Sequence, residues 1–241
     1  MAVFTKINKK DIIADENVIN FINDNKIENN PRIETKNEEQ NILKTLDTIA
    51  SKLINIEFEF IVINDFSTDN TFEIVDELSK KNNKVKILNN ISPGLGSAIG
   101  LGIKKSNSEF IAIMMADLSD DPEDLVKYFN IINNGKLDAV FGSRFIKNSF
   151  VKDYPKKKLI LNRVFNIFIK LITYSDYNDF TNAFKIYRKE TLNKLQPFVS
   201  DNFNIFLEMP LKLILNNYKY KIIPINWSNR KFGKAKFKIN E

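Results

Sequence analysis

The chain has 241 residues, 43% hydrophobic and 27% charged, which is enough apolar material for one sizeable core and too much for a disordered chain. With 36 Lys and Arg against 30 Asp and Glu the net charge is +6, an excess that favours phosphates or an anionic membrane face without selecting either. Cys and His are both 0, which excludes disulfides, thiolate nucleophiles, Ser-His-Asp triads and zinc held by His or Cys; any base must be a carboxylate, a Lys or a Tyr, and any metal must be held by oxygen, favouring Mg or Mn.

Residues 1–30 are rich in Asn, Lys, Asp and Ile without a period and lead to the helix-breaking Pro31, so they read as an N-terminal extension. No apolar run of signal-peptide length opens the chain, and no export is expected. From Glu38, the apolar residues Ile42, Leu43, Leu46, Ile49, Leu53 and Ile54 recur at three- and four-residue steps, predicting an amphipathic helix. Phe58 to Ile63 reads as a strand, followed by a helix to Lys80 with N-cap oxygens at Ser67, Thr68 and Asp69. Val85 to Leu88 is a second strand; a Gly94-Leu95-Gly96 turn then opens a helix to Lys105. Phe110 to Met115 is the most continuously apolar strand, Asp120 to Pro122 start another helix, and Leu137 to Phe141 form a further strand. Strands apolar on both faces, alternating with helices, predict an α/β fold with a parallel sheet covered on each side.

The second half differs. Tyr154 to Ile172 predicts a helix that is apolar around most of its circumference, with a narrow polar stripe of Asn162, Asn166 and Lys170 beside Arg163. It reads as a core helix with one solvated edge, or as one that lines a site or rests on a membrane. Its apolar stretch Leu159 to Ile172 is too short and too polar to span a bilayer. A strand at Ala183 to Tyr187, a helix near Phe203 to Asn216 and a strand at Tyr220 to Pro224 follow, then the basic tail NRKFGKAKFK. The expected division is a single domain over 31–241, with halves at 31–145 and 146–241. Trp227 reads as packed on the last strand or anchored at an interface.

In open α/β sheets ligands bind beyond the carboxyl ends of the strands. Asp65, in Asn64-Asp65-Phe66-Ser67, and Asp117, in Ala116-Asp117-Leu118-Ser119-Asp120-Asp121, both follow strands and project at one rim, where a carboxylate can meet a nucleoside or hold a cation bridging phosphates. Asp69, Asp120 and Asp121 lean toward helix capping. The Gly94-x-Gly96-x-x-x-Gly100 pattern lies five residues beyond its strand and does not match the dinucleotide fingerprint.

Taken together, FIVINDFSTDNT (60–71), SPGLGSAIGLGI (92–103), FIAIMMADLSDDPEDL (110–125), DAVFGSRF (138–145), LNRVFN (161–166), NDFTNAFKIYRKE (178–190) and NRKFGKAKFK (229–238) resemble, in order, the family 2 glycosyltransferases of GT-A fold, in particular the dolichol-phosphate mannose synthase type. The resemblance implies a mostly parallel central sheet flanked by helices, a 31–145 half that binds a nucleotide-diphosphate sugar and a 146–241 half on the acceptor side. It places Asp65 at the donor base with Asn37 and Glu38 near the same pocket, and Asp117 as the last Asp of the DxD motif, holding Mg or Mn with help from Asp120. Arg144 is implied near the transferred sugar and phosphates, Arg163 with Asn166 at the acceptor phosphate, and Arg230 in a loop closing over the donor.

The sequence departs from this pattern in two places: NPRIETKNEE has Glu34 where the family's first strand has Pro, and Met115 replaces the first Asp of DxD. A thioether is a poor ligand for a hard cation. A hydroxyl acceptor would need Glu208 or Asp179 as base, whereas a polyprenyl phosphate is largely dianionic at neutral pH and attacks unaided. The expectation is an inverting, metal-assisted transfer to a polyprenyl phosphate by a cytoplasmic protein in peripheral contact with the membrane, Lys156, Lys157, Lys158, Lys234, Lys236 and Lys238 facing lipid or solvent. The alternatives are a degenerate module that binds nucleotide sugars or protein partners, and a sugar nucleotidyltransferase. No nucleic-acid motif appears.

Overall fold

A computed structural model describes residues 38–54 and 56–230, together with the backbone of residues 2–8. Its elements are β1 (Ala2–Asn8), α1 (Ile42–Lys52), β2 (Glu57–Asn64), α2 (Thr71–Lys81), β3 (Val85–Asn89), α3 (Leu95–Lys105), β4 (Phe110–Met115), α4 (Pro122–Asn134), β5 (Ala139–Ser143), β6 (Phe150–Lys152), α5 (Lys156–Ile172), β7 (Lys185–Arg188), α6 (Lys189–Leu195), α7 (Ile205–Leu215), β8 (Tyr220–Pro224) and β9 (Asn226–Ser228).

One seven-stranded sheet has the order β3-β2-β1-β4-β7-β5-β8, and β6 pairs with β9 beside it. The strands β2, β3, β4, β5 and β8 run one way, in line with the mostly parallel reading, while β1 and β7 run against their neighbours. The slot between β2 and β4 is filled by β1, drawn from the N-terminal extension, with Phe4 opposite Ile61 on one side and Ile113 on the other. The NPRIETKN stretch and Asn37 lie outside the described residues.

Helices cover both faces of the sheet, and the alternating side chains of each central strand feed two cores. Phe60 and Val62 of β2 with Phe110, Ala112 and Met114 of β4 meet Ile42, Leu46 and Ile49 of α1, Val75 of α2 and Leu125 and Tyr128 of α4. Their strand neighbours Ile61, Ile63, Ile111 and Ile113 face Ile99 and Ile103 of α3, Leu192 of α6 and Ile205, Met209 and Leu213 of α7. Each fully buried aliphatic side chain contributes roughly 1.5–3 kcal/mol, so the continuously apolar strands reflect two cores.

The long helix α5 is the exception. Among its residues only Asn166 and Ile169 are buried, while Ile160, Leu161, Val164, Phe168 and Leu171 are all more than half exposed. The core-helix expectation is corrected: the polar stripe faces the protein and the apolar face is outward.

Candidate active site

The two rim acids share a local frame. Asp65 is followed by Phe66 at φ 55° and Asp117 by Leu118 at φ 58°, both in the left-handed region. Holding a non-glycine residue there costs about 1 kcal/mol or more, and the turn takes the chain sharply out of the sheet just past each carboxylate. Because β2, β4 and β5 are codirectional, Asp65, Asp117 and Arg144 all come from the same end of the sheet.

Asp65 is half-buried, and its Oδ1 accepts from Gly94 N at 3.0 Å and Asn90 Nδ2 at 2.8 Å. The glycines of that turn serve a close backbone approach. A Cβ on Gly94, at φ +127°, would lie 2.4 Å from Asp201 O, and one on Gly96 would lie 1.7 Å from Ser200 O. Gly96 N donates to Asp201 O at 2.7 Å. Both glycine amides are thus occupied within the protein.

Asp117 is 5% exposed. Its Oδ1 accepts from Ser119 N at 3.1 Å, and its Oδ2 pairs with Arg230 Nη2 at 2.7 Å. The other arm of Arg230 reaches Glu38 Oε1 at 3.5 Å, and Glu38 Oε2 accepts from Asn41 Nδ2. Arg230 thereby links the chain after β9 to the start of α1 across Asp117. Asp120 is equally buried and accepts from Met115 N at 3.4 Å. Burial first, and then the neighbouring Asp117, push its carboxyl up to about 7. The neighbouring Asp121, as expected, caps α4 by accepting from Glu123 N. Two adjacent buried carboxylates are a hard-oxygen pair that suits Mg or Mn, provided the cation takes its other oxygens from diphosphate and water. Among the described residues no group of three acidic side chains could complete a shell.

Arg144 follows β5 and is 8% exposed. Asp179, fully buried, accepts from its Nε at 2.8 Å, its Nη2 at 2.6 Å and its backbone N at 2.9 Å. Burial works against the guanidinium charge, but Asp179 outweighs it and holds the arginine above its ordinary value. The rings of Phe145, Tyr154 and Trp227 lie 5.2, 5.7 and 5.7 Å from Arg144 Cζ, and Trp227 packs on Tyr154 at 4.9 Å. Trp227 is therefore a packed wall of this site.

Arg163 reaches the same ring from α5: its Cζ is 4.5 Å from the Phe145 centroid. Its Nη1 is the one buried side-chain polar atom without a hydrogen-bond partner among the described residues. An unsatisfied buried donor on a guanidinium is costly and calls for an acceptor.

Three of the expected site residues are engaged by partners within the protein. Asn166 does not present its amide to a ligand: it is fully buried, with Nδ2 within bonding distance of Asn162 O, Asn162 Oδ1 and Thr181 Oγ1, and it docks α5 on the 179–182 segment. Asp179 has both its oxygens on Arg144, an arrangement that holds the arginine rather than one that offers a free base. Glu208 on α7 clamps a loop by accepting from Val199 N at 2.9 Å and Ser200 N at 2.8 Å and pairing with Lys212 at 2.7 Å. Burial alone would raise its carboxyl, but Lys212, Ser200 and Val199 bring it down to about 2. Residue type and position do not distinguish a protein partner from a ligand. Sequence reasoning also missed Tyr154 as a wall of the site and the burial of Lys185, whose only signal is that it interrupts the apolar stretch Ala183 to Tyr187.

The model of glycosyl transferase family 2 matches residues 33–196, more than half of the chain, and the chain belongs to that family. It is 31% identical over 211 residues to the dolichol-phosphate mannosyltransferase of Pyrococcus furiosus, covering 86% of this chain and 58% of that protein. It is 26% identical over 212 residues to the polyprenol monophosphomannose synthase of Mycolicibacterium smegmatis, covering 85% and 78%. The chain thus spans less than two thirds of the Pyrococcus furiosus relative. Glucosyl-3-phosphoglycerate synthase from Mycobacterium tuberculosis, in its complex with Mn2+, UDP and glucosyl-3-phosphoglycerate, shares the GT-A fold at TM-score 0.63 and 16% identity, over 83% of this chain and 70% of that one.

Proposed function

We propose that this chain transfers a sugar from a nucleotide diphosphate to a polyprenyl phosphate at a membrane face. The observation that carries the acceptor is the orphaned Nη1 of Arg163, which shares the Phe145 ring with Arg144 and sits on a helix whose outward face is apolar. A phosphate arriving on a lipid would satisfy that donor while its tail stayed on the apolar side. The names of the Pyrococcus furiosus and Mycolicibacterium smegmatis relatives support the same acceptor class.

In this reading Asp65 and Glu38 border the nucleotide, and Asp117 with Asp120 would hold Mg or Mn, which when bound would supply positive charge against the leaving group. Arg144, immobilised by Asp179, faces the sugar and phosphates. The dianionic acceptor phosphate needs no protein base, which suits a chain without His whose carboxylates are engaged elsewhere. A phosphate oxygen forms the new bond at the anomeric carbon as the bond to the diphosphate oxygen breaks. The nucleoside diphosphate departs with the electron pair, and configuration inverts. The protein supplies position and preorganised charge.

No helix among the described residues is long and apolar enough to cross a membrane. The outward face of α5, preceded by exposed Lys156, Lys157 and Lys158, suits a peripheral seat on the cytoplasmic side of an anionic bilayer, at about 1 kcal/mol per lysine. A thermal-shift screen of UDP-, GDP- and CDP-linked sugars with and without Mn2+ tests the donor half. One donor class should stabilise the protein in a Mn2+-dependent way; no response from any of them would favour a degenerate module.

A further inference from the structure

Lys185 opens β7 and is 1% exposed, beside the core residues Ile186 and Tyr187. An ammonium has three donors, and its Nζ meets three backbone carbonyls: Phe180 O at 3.1 Å, Asn182 O, and Phe206 O of α7 at 3.4 Å. The first two bracket Thr181. That short segment supports both Arg144 and α5: Asp179 grips Arg144, and Thr181 Oγ1 accepts from Asn162 Nδ2 at 2.8 Å and Asn166 Nδ2 at 3.1 Å of α5.

We propose that Lys185 is a positioning residue for Arg144 and α5: by pinning the 179–182 segment to α7 it sets the spacing between the arginine that faces the sugar and the helix that presents Arg163. The role of Arg144 toward substrate rests on the function proposed above. A buried amine is retained here at a cost, since an apolar side chain of the same length would suit a purely structural core position better. Burial draws the ammonium down to about 7, against the pull of Asp179 and with Arg144 adding to the lowering; Asp120 and the Tyr177 ring are the other groups facing it.

The test reads Arg144 directly, through the exchange rate of its Nε proton by nitrogen-15 NMR. Lys185→Met should speed that exchange about tenfold or more, with Lys185→Gln, which keeps two donors, in between; Gln also serves if Met prevents folding. In transfer assays Lys185→Met should cut turnover about tenfold, and the loss should not add to that of Arg144→Lys. Unchanged Nε exchange, or fully additive losses, overturns the proposal. If the wild-type chain transfers no sugar, the function proposed above fails, and the exchange rates alone decide the positioning role.

Discussion

Arg230 Nη2 lies 2.7 Å from Asp117 Oδ2, so a guanidinium already stands against the carboxylate assigned to the metal. Met115, which ends β4, brings no acid to this rim, and the contact places a positive charge on Asp117. Removing it frees Asp117 for a cation. Arg230→Gln should therefore bind Mn2+ alone several-fold more tightly by calorimetry, roughly 1 kcal/mol. Unchanged or weaker binding would mean that the ion pair does not compete with metal.

The Asp179–Arg144 pair is buried on both sides, at 0% and 6% side-chain exposure. Neutralising one partner strands the other. Asp179→Asn should cost about 3–5 kcal/mol in urea unfolding, whereas Asp179→Leu combined with Arg144→Met should recover much of that stability and no activity. A loss under about 1 kcal/mol for the single change would show that water reaches the pair.

Asp120 makes stability pH-dependent. Its folded-state value, about 7, lies above the ordinary 3.8, so between those limits the folded protein binds more protons than the unfolded chain. The sign follows: its contribution is full below about pH 4 and is lost as pH rises through 7. Metal-free wild type should lose roughly 1–3 kcal/mol relative to Asp120→Asn between pH 4.5 and 8. Parallel pH profiles for the two proteins would rule out a protonated Asp120.

Leu161 and Phe168 are 59% and 58% exposed on the outward face of α5. Replacing both with Glu should change folding stability by no more than about 0.5 kcal/mol per site and abolish sedimentation with anionic vesicles. Retained vesicle binding would remove α5 from the membrane contact.

Much of the fold was legible because two-sided burial writes continuous apolar runs. The predicted bounds of β4, 110–115, and of β8, 220–224, match those found. The three-residue strands β6 and β9 carry too little pattern to detect. For α5 the periodicity located the helix but could not say which face the protein would cover, and burial of Asn166 inverted the expectation. The rim acids were readable from their place after strands. The tasks of Asp179, Asn166 and Glu208 were not, because each is defined by a partner outside its own element: Arg144 for Asp179, Thr181 for Asn166 and the 199–200 amides for Glu208.

Formation of a lipid-linked sugar tests the central claim most directly. The chain is incubated with labelled UDP-, GDP- or CDP-sugars, Mn2+ and a polyprenyl phosphate in vesicles, and the label extracted with lipid is counted. One donor class should yield labelled lipid, and Arg163→Ala should raise the acceptor KM about tenfold while slow donor hydrolysis persists. No labelled lipid from any donor, or an unaltered acceptor KM in the variant, would contradict the account.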